Sequence, residues 1–226
     1  MINGEQNGMS TNSFRIPIYP ACDSWGMSRG IPVDRYYIDA FLSRHAADIR
    51  GHVLEIGDDG YSRRFGGKRV DKIDVLDVNA ENSRATIVAD LTNAPDIPND
   101  TFDCIIITQV LTYIKDLQRA VDTLVRITKP GGFILCTQPS ITRIASFPGE
   151  RENWCWSLYP TSARWLFSRG GIERRTLVVE SWGNLRTATA FLWGLAQEDL
   201  TEEDFMLDDF RYPLITTVRA FKAQGG

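Results

Sequence analysis

The chain has 226 residues, of which 43% are apolar and 24% charged, and a formal net charge of −4. That length suits one large α/β domain with a substantial core, and the acidic balance argues against a nucleic-acid partner, whose phosphates call for a basic surface. No apolar stretch reaches the ~18 residues of a membrane span, and Met1 to Ser13 lacks the apolar core of a secretion signal, so the expected location is cytoplasmic. The cysteines Cys22, Cys104, Cys136 and Cys155 lack metal or redox spacing, and two histidines, His45 and His52, are too few for a histidine-built zinc site, so no metal is expected.

Residues 1–24 read as a flexible N-terminal arm, rich in Asn, Gly and Ser at its start and broken by prolines later. Val33 to Ala47 carries apolar residues at helical spacing and predicts a helix. His52 to Ile56 is a short apolar run ending at Gly57, a buried strand followed by a glycine-bearing turn. Lys72–Val78 and Ala85–Val88 predict two further strands. Phe102–Thr108 is rich in β-branched and apolar residues, as in a strand covered on both faces. Asp116–Thr128 predicts an amphipathic helix, stopped by Lys129-Pro130-Gly131-Gly132, and Phe133–Thr137 a fifth strand. Residues 138–160 form a long connection carrying Trp154, Trp156 and Tyr159. A helix capped by Thr161 or Ser162, a strand in "RRTLVVES", a helix over Thr187–Ala196 and a last strand in "LITTVRAF" follow. The acids from Glu198 to Asp209 read as a solvated face or loop.

Alternating strands and helices, with strands buried on both faces, predict a parallel sheet with crossover helices, six to seven strands in all. Such sheets bind ligands beyond the carboxyl ends of their strands. The residues just after each strand are therefore the ones to examine.

Those residues carry a resemblance. "VLEIGDDGYSRRFGG", "IVADLTNAPDIPNDTFDCIIITQVLTYI" and "RITKPGGFILCTQP" resemble the successive motifs of class I methyltransferases, which use S-adenosylmethionine (SAM). The chain's ends, "WGMSRGIPVDRYYIDAFLSRHAADIRG" and "WGNLRTATAFLWGLAQEDLTEED…YPLITTVRAFK", resemble a bacterial group of such enzymes often found beside glycosyltransferases. The resemblance implies a Rossmann-like, mostly parallel seven-stranded sheet with helices on both faces. It implies a single methyltransferase domain over 25–226, with 138–160 as a substrate lid.

It also implies roles. Glu55 and Gly57 match the acid and first glycine of the SAM-binding loop, and Asp58 follows them. Asp74, at the end of the second strand, matches the acid on the ribose hydroxyls, with Asp77 as its rival. Asp90 and Leu91 match the pair beside the adenine amine. Thr108, Gln109 and Leu111 match the segment lining the cofactor. These matches make chemical sense: glycine permits close backbone approach, and a strand-end carboxylate can accept two bonds from a vicinal diol. The loop departs from the usual pattern, with Asp59 and Tyr61 where further glycines are expected. Arg35, Tyr36 or Arg63 are then the candidates to hold the methionine carboxylate of SAM. Gly57, Asp58, Asp59 and Gly60 do not form GxGxxG, and two acids would repel a pyrophosphate, which disfavours a nicotinamide oxidoreductase. A cationic sulfonium tolerates such acids.

The reaction expected is methyl transfer to a hydroxyl of a glycan, a glycosylated metabolite or another small molecule. Tyr113, Trp154, Trp156 and Tyr159 are the candidate acceptor contacts, since Trp and Tyr offer flat faces with polar edges. If their segment is extended, Trp154 and Trp156 face the same way. No catalytic base is evident, and a noncatalytic methyltransferase-like partner protein stays open as an alternative. The oligomeric state is not legible.

Overall fold

The computed structural model describes residues 17–145 and 151–224. The expectation of disorder at the extreme N-terminus lies outside the described residues, as do residues 146–150 of the long connection. Seven strands, β1 (Gly51–Ile56), β2 (Val70–Asp77), β3 (Ile87–Val88), β4 (Phe102–Thr108), β5 (Thr128–Pro139), β6 (Leu177–Trp182) and β7 (Ile215–Phe221), form one sheet. Its order is β3-β2-β1-β4-β5-β7-β6. Neighbours pair in parallel from β3 to β5, and β7 runs antiparallel to both β5 and β6. The expected Rossmann-like, mostly parallel architecture is what the chain adopts.

Alternation along the central strands splits the core in two. Leu54, Ile105, Ile107 and Ile134 point to one face, where α2 (Leu117–Ile127) and α3 (Pro160–Arg169) pack. Val53, Cys104, Ile106 and Leu135 point to the other, under α1 (Val33–Arg44), α4 (Leu185–Leu192) and the short α5 (Glu202–Phe205). The helix α2 shows why the sequence folds this way locally. Asp116 caps it by accepting from the Arg119 N–H at 3.2 Å, and Val121, Leu124 and Ile127 form one fully buried stripe. Each such side chain contributes roughly 1.5–3 kcal/mol of burial.

Several expected boundaries move. The fifth strand starts at Thr128, not Phe133, because Lys129-Pro130-Gly131-Gly132 is absorbed as a bulged strand start rather than a free turn. Lys129 does not serve the end of α2 either: it pairs with Asp103 at 2.8 Å. Lys222, brought in by β7, fills that role, donating to the Val125 and Thr128 carbonyls at 2.9 and 2.7 Å. The helix α3 begins at Pro160 after Tyr159, so neither Thr161 nor Ser162 caps it; proline suits a first helical position.

The N-terminal arm is not free from Ala21 onward. Its N–H donates to the Trp193 carbonyl at 2.7 Å, and Cys22 is buried. Nor are the late acids merely solvated. Glu198 accepts the Ile31 N–H, Asp199 pairs with Arg29, and Asp204 pairs with Arg186. Glu198 and Asp199 fasten the segment before α1 to the turn after α4, and Asp204 ties α5 to α4. Among the described residues, no helix is long and apolar enough to cross a membrane.

Candidate functional site

Chain order reverses between β1 and β4, because β1 is followed in space by β2 on one side and by β4 on the other. The loops leaving these two strands diverge and open a crevice at their carboxyl ends. Ile56, Asp58, Gly60 and Tyr61, around the turn after β1, line it together with Thr108 at the end of β4.

Gly57 turns the chain at φ +90°, and a Cβ built on it meets no atom within 4 Å. The space in front of this backbone is open to a ligand, which is the condition the glycine was expected to meet. Glu55 does not point into that space. Its carboxylate accepts the Tyr61 and Ser62 N–H groups at 3.0 and 2.7 Å, which start the helical turn Ser62–Gly66. Burial outweighs these two bonds and pushes the Glu55 carboxyl up to about 7. Asp58 closes the turn by accepting the Gly60 N–H at 2.8 Å and remains exposed at the crevice.

The two acids of β2 separate clearly. Asp74 is not at the strand end; β2 runs on to Asp77. Asp74 is buried mid-strand and spent on neighbours: Lys72 Nζ at 2.8 Å, His52 Nε2 at 2.6 Å and Thr86 Oγ1 at 2.9 Å. Burial would raise its pKa, but these partners hold it below the usual carboxylate range. Asp77 stands at the carboxyl end. It accepts the Asn79 N–H at 2.9 Å and the Asn82 amide at 2.6 Å, and the same amide donates to the Gly57 carbonyl at 2.7 Å. A carboxylate offers about four lone-pair positions, so about two remain on Asp77, beside the open turn. The sequence named Asp77 as the rival; the strand length decides the position.

After β3, Asp90 folds back on Thr92, accepting its N–H at 2.7 Å and its hydroxyl at 2.8 Å. Leu91 points away into the core, 3% exposed. Leu111 is likewise fully buried. After β4, Thr108 lines the crevice together with Arg35, Asp58 and Tyr61. Gln109 adopts φ +59°, a left-handed conformation rare for a side-chain-bearing residue. Its Nε2 is buried without a hydrogen-bond partner. Strain and an unmet donor at one residue are features of positions held for a ligand.

Arg35, from the first turn of α1, borders both this crevice and a second cavity of about 240 Å³. Gln109, Tyr113, Trp25, Trp154 and Asp34 line the second cavity. Trp25 and Trp154 stack with ring centroids 6.1 Å apart, and Tyr113 meets Trp154 edge-on at 5.4 Å. The Arg143 guanidinium lies over the Trp25 ring at 5.1 Å.

Trp154 and Trp156 do not face the same way, because the segment is not a free extended strand. The Cys155 and Trp156 N–H groups both donate to the Thr112 carbonyl. Trp156 is carried outward, its Nε1 donating to the Ile114 carbonyl at 2.9 Å, into an outer groove with Trp165. Tyr159 is exposed at the start of α3. Of the four expected acceptor contacts, Tyr113 and Trp154 reach the cavity. Trp25 and Asp34 join them from the other end of the chain, and no local pattern marked Asp34.

The comparisons with known proteins agree with this architecture. Residues 60–136 match the family model described as a methyltransferase domain. An uncharacterised methyltransferase of Schizosaccharomyces pombe is 36% identical over 56 residues, 25% of this chain and 20% of that protein. The chain thus matches about one fifth of that relative's length. A SAM-dependent methyltransferase from Archaeoglobus fulgidus superimposes with a TM-score of 0.55 at 13% identity, covering 82% of this chain and 93% of the other. The complex of the Haloferax volcanii Trm112 methyltransferase activator and a putative methyltransferase gives 0.55 at 16%, with 92% and 100% coverage. Phosphoethanolamine N-methyltransferase 2 of Haemonchus contortus, in complex with S-adenosylhomocysteine, gives 0.55 at 15%, with 84% and 53% coverage. These likenesses establish the class I methyltransferase fold. Of these proteins, the one from Archaeoglobus fulgidus is SAM-dependent and the one from Haemonchus contortus holds S-adenosylhomocysteine.

Proposed function

We propose that this protein transfers a methyl group from SAM to a hydroxyl of a small acceptor held in the aromatic cavity. The observation that carries the reading is the junction at Arg35. A crevice lined by Asp58, Gly60, Tyr61 and Thr108, next in the chain to the open Gly57 turn, lies on one side of it, and a partly open aromatic cavity on the other. That is the layout a two-substrate transfer needs, with cofactor and acceptor meeting across one wall.

The residues fit SAM chemically. Asp77 would take the ribose hydroxyls through its remaining lone pairs, and Gly57 would admit the backbone-close part of the molecule. Arg35 would pair with the methionine carboxylate and Asp58 with its ammonium. When bound, the cofactor supplies a methyl group on a cationic sulfur. Trp25, Trp154 and Tyr113 exclude water and give the acceptor a flat surface, and much of the rate can come from such positioning. A sugar-bearing acceptor is the favoured class. Its support is the aromatic wall and the resemblance of the chain's ends to methyltransferases found beside glycosyltransferases.

Calorimetric titration tests the reading. S-adenosylhomocysteine is expected to bind at one site per chain and NAD to give no heat. A folded protein that binds neither SAM nor S-adenosylhomocysteine would refute it.

A further inference from the structure

Asp34 is the charged group that the proposed reaction has not yet used. It sits in the first turn of α1 and lines the aromatic cavity. Its side chain is nine-tenths buried, at 10% exposure. Oδ1 is enclosed without a hydrogen-bond partner, Oδ2 has a long contact of 3.4 Å to the Arg35 guanidinium, and the Asp34 and Arg35 backbone N–H groups lie close enough to favour the charged carboxylate. A buried carboxylate oxygen without a donor is costly, typically by several kcal/mol, unless something donates to it. The polar neighbour on the same wall, Gln109 Nε2, is an unmet donor of its own.

We propose that Asp34 is the general base of the methyl transfer, accepting the proton of the acceptor hydroxyl on its carboxylate. The inference rests on the methyltransferase reading above. In the step, the acceptor O–H bond breaks and its electron pair forms the new O–CH3 bond. The proton passes to Asp34, and the electrons of the severed S–CH3 bond stay on sulfur, leaving a neutral thioether. Asp34 later returns the proton to water.

The electrostatics suit this task. Burial raises the Asp34 carboxyl above the ordinary range, and the Arg35 charge and the backbone N–H groups of Arg35 and Asp34 draw it back only in part. A base whose pKa approaches the working pH both accepts and releases a proton readily. The charged and titratable groups around it are Arg35 on its own helix, with Tyr61, Asp39 and Asp58 around Arg35, Tyr113 across the cavity and Arg143 over Trp25.

The test has two readouts. Carboxyl carbon NMR of the free protein, assigned with D34N, is expected to show Asp34 titrating above the ordinary aspartate range; an ordinary or depressed value overturns the proposal. Release of S-adenosylhomocysteine from SAM is then followed with methyl glucosides and simple phenols as acceptors. D34N should retain the wild-type affinity for S-adenosylhomocysteine and lose 100-fold or more of turnover, in line with general-base contributions of ~10²–10⁴. Wild-type kcat/KM should fall with unit slope on the acid side of the Asp34 titration. D34N with unchanged turnover, or a flat wild-type profile across that range, refutes the role of Asp34 while leaving the methyltransferase reading intact. A wild type that binds S-adenosylhomocysteine but methylates only amines refutes the hydroxyl acceptor and the base together. Should D34N fail to fold, D34E assigns the resonance, and the NMR titration and pH profile of the wild type still decide.

Discussion

Substituting each of the two acids of β2 separates ligand binding from stability. In D77A, the two lone-pair positions open to the ribose hydroxyls disappear. The Asn79 N–H loses its acceptor, while Asn82 keeps the Gly57 carbonyl. A hydrogen bond to a charged group contributes about 1.5–3 kcal/mol, so affinity for S-adenosylhomocysteine should weaken roughly 10- to 150-fold at 1.4 kcal/mol per decade. In D74A the same kind of bond is lost, but its donors are Lys72, His52 and Thr86 within the protein. The cost should therefore appear as stability, about 1.5–3 kcal/mol, or roughly 3–12 °C in thermal midpoint for a chain of this size. The folded pKa of Asp74 is depressed, so this contribution is present at neutral pH and fades as pH falls through its folded pKa. The assay is paired, with calorimetric affinity and thermal midpoint measured on the wild type and both variants. Weak binding in D74A with an unchanged midpoint, beside normal binding in D77A, would show that strand position does not decide which acid meets the ribose.

Glu55 predicts an opposite pH trend. Its folded carboxyl titrates at about 7 against an ordinary 4.5, so the folded chain holds an extra proton between those values. Stability should fall as pH rises through that window, by up to about 3 kcal/mol at 1.36 kcal/mol per unit. Urea unfolding of E55Q across the same range should lack this component; an identical slope in both proteins would assign it elsewhere. The aromatic residues divide likewise. W154A should raise the acceptor KM with little change in cofactor affinity, because Trp154 lines the cavity with Trp25, whereas W156A should leave acceptor kinetics unchanged. Steady-state kinetics with an acceptor that the wild type methylates checks both, and equal effects would refute the division of the two rings.

Much of this protein was legible in the sequence because the relevant signals are local. The run Phe102–Thr108 names its own strand, the stripe of α2 its own buried face, and Gly57 its own turn. Alternation of strands and helices through residue 137 then points to a parallel sheet; the seven-stranded sheet came with the resemblance, and its order, with β7 antiparallel, came only with the structure. Charge, length and the motifs along residues 53–139 fixed the kind of ligand to expect. What tertiary structure decided are the matters that depend on where a strand stops or on what is brought alongside. Asp74 and Asp77 differ by three positions, and the continuation of pairing to Asp77 determines which acid meets the crevice. Trp154 and Trp156 are parted by the Thr112 carbonyl, which lies more than forty residues away in sequence. Trp25 and Asp34 reach the cavity because the acids Glu198 and Asp199 hold the segment before α1 in place. A side chain's identity states what bonds it can make; only the packed chain determines which partners are already taken, as for Asp74, and which groups, such as the Asp34 carboxylate, line a cavity with few donors of their own.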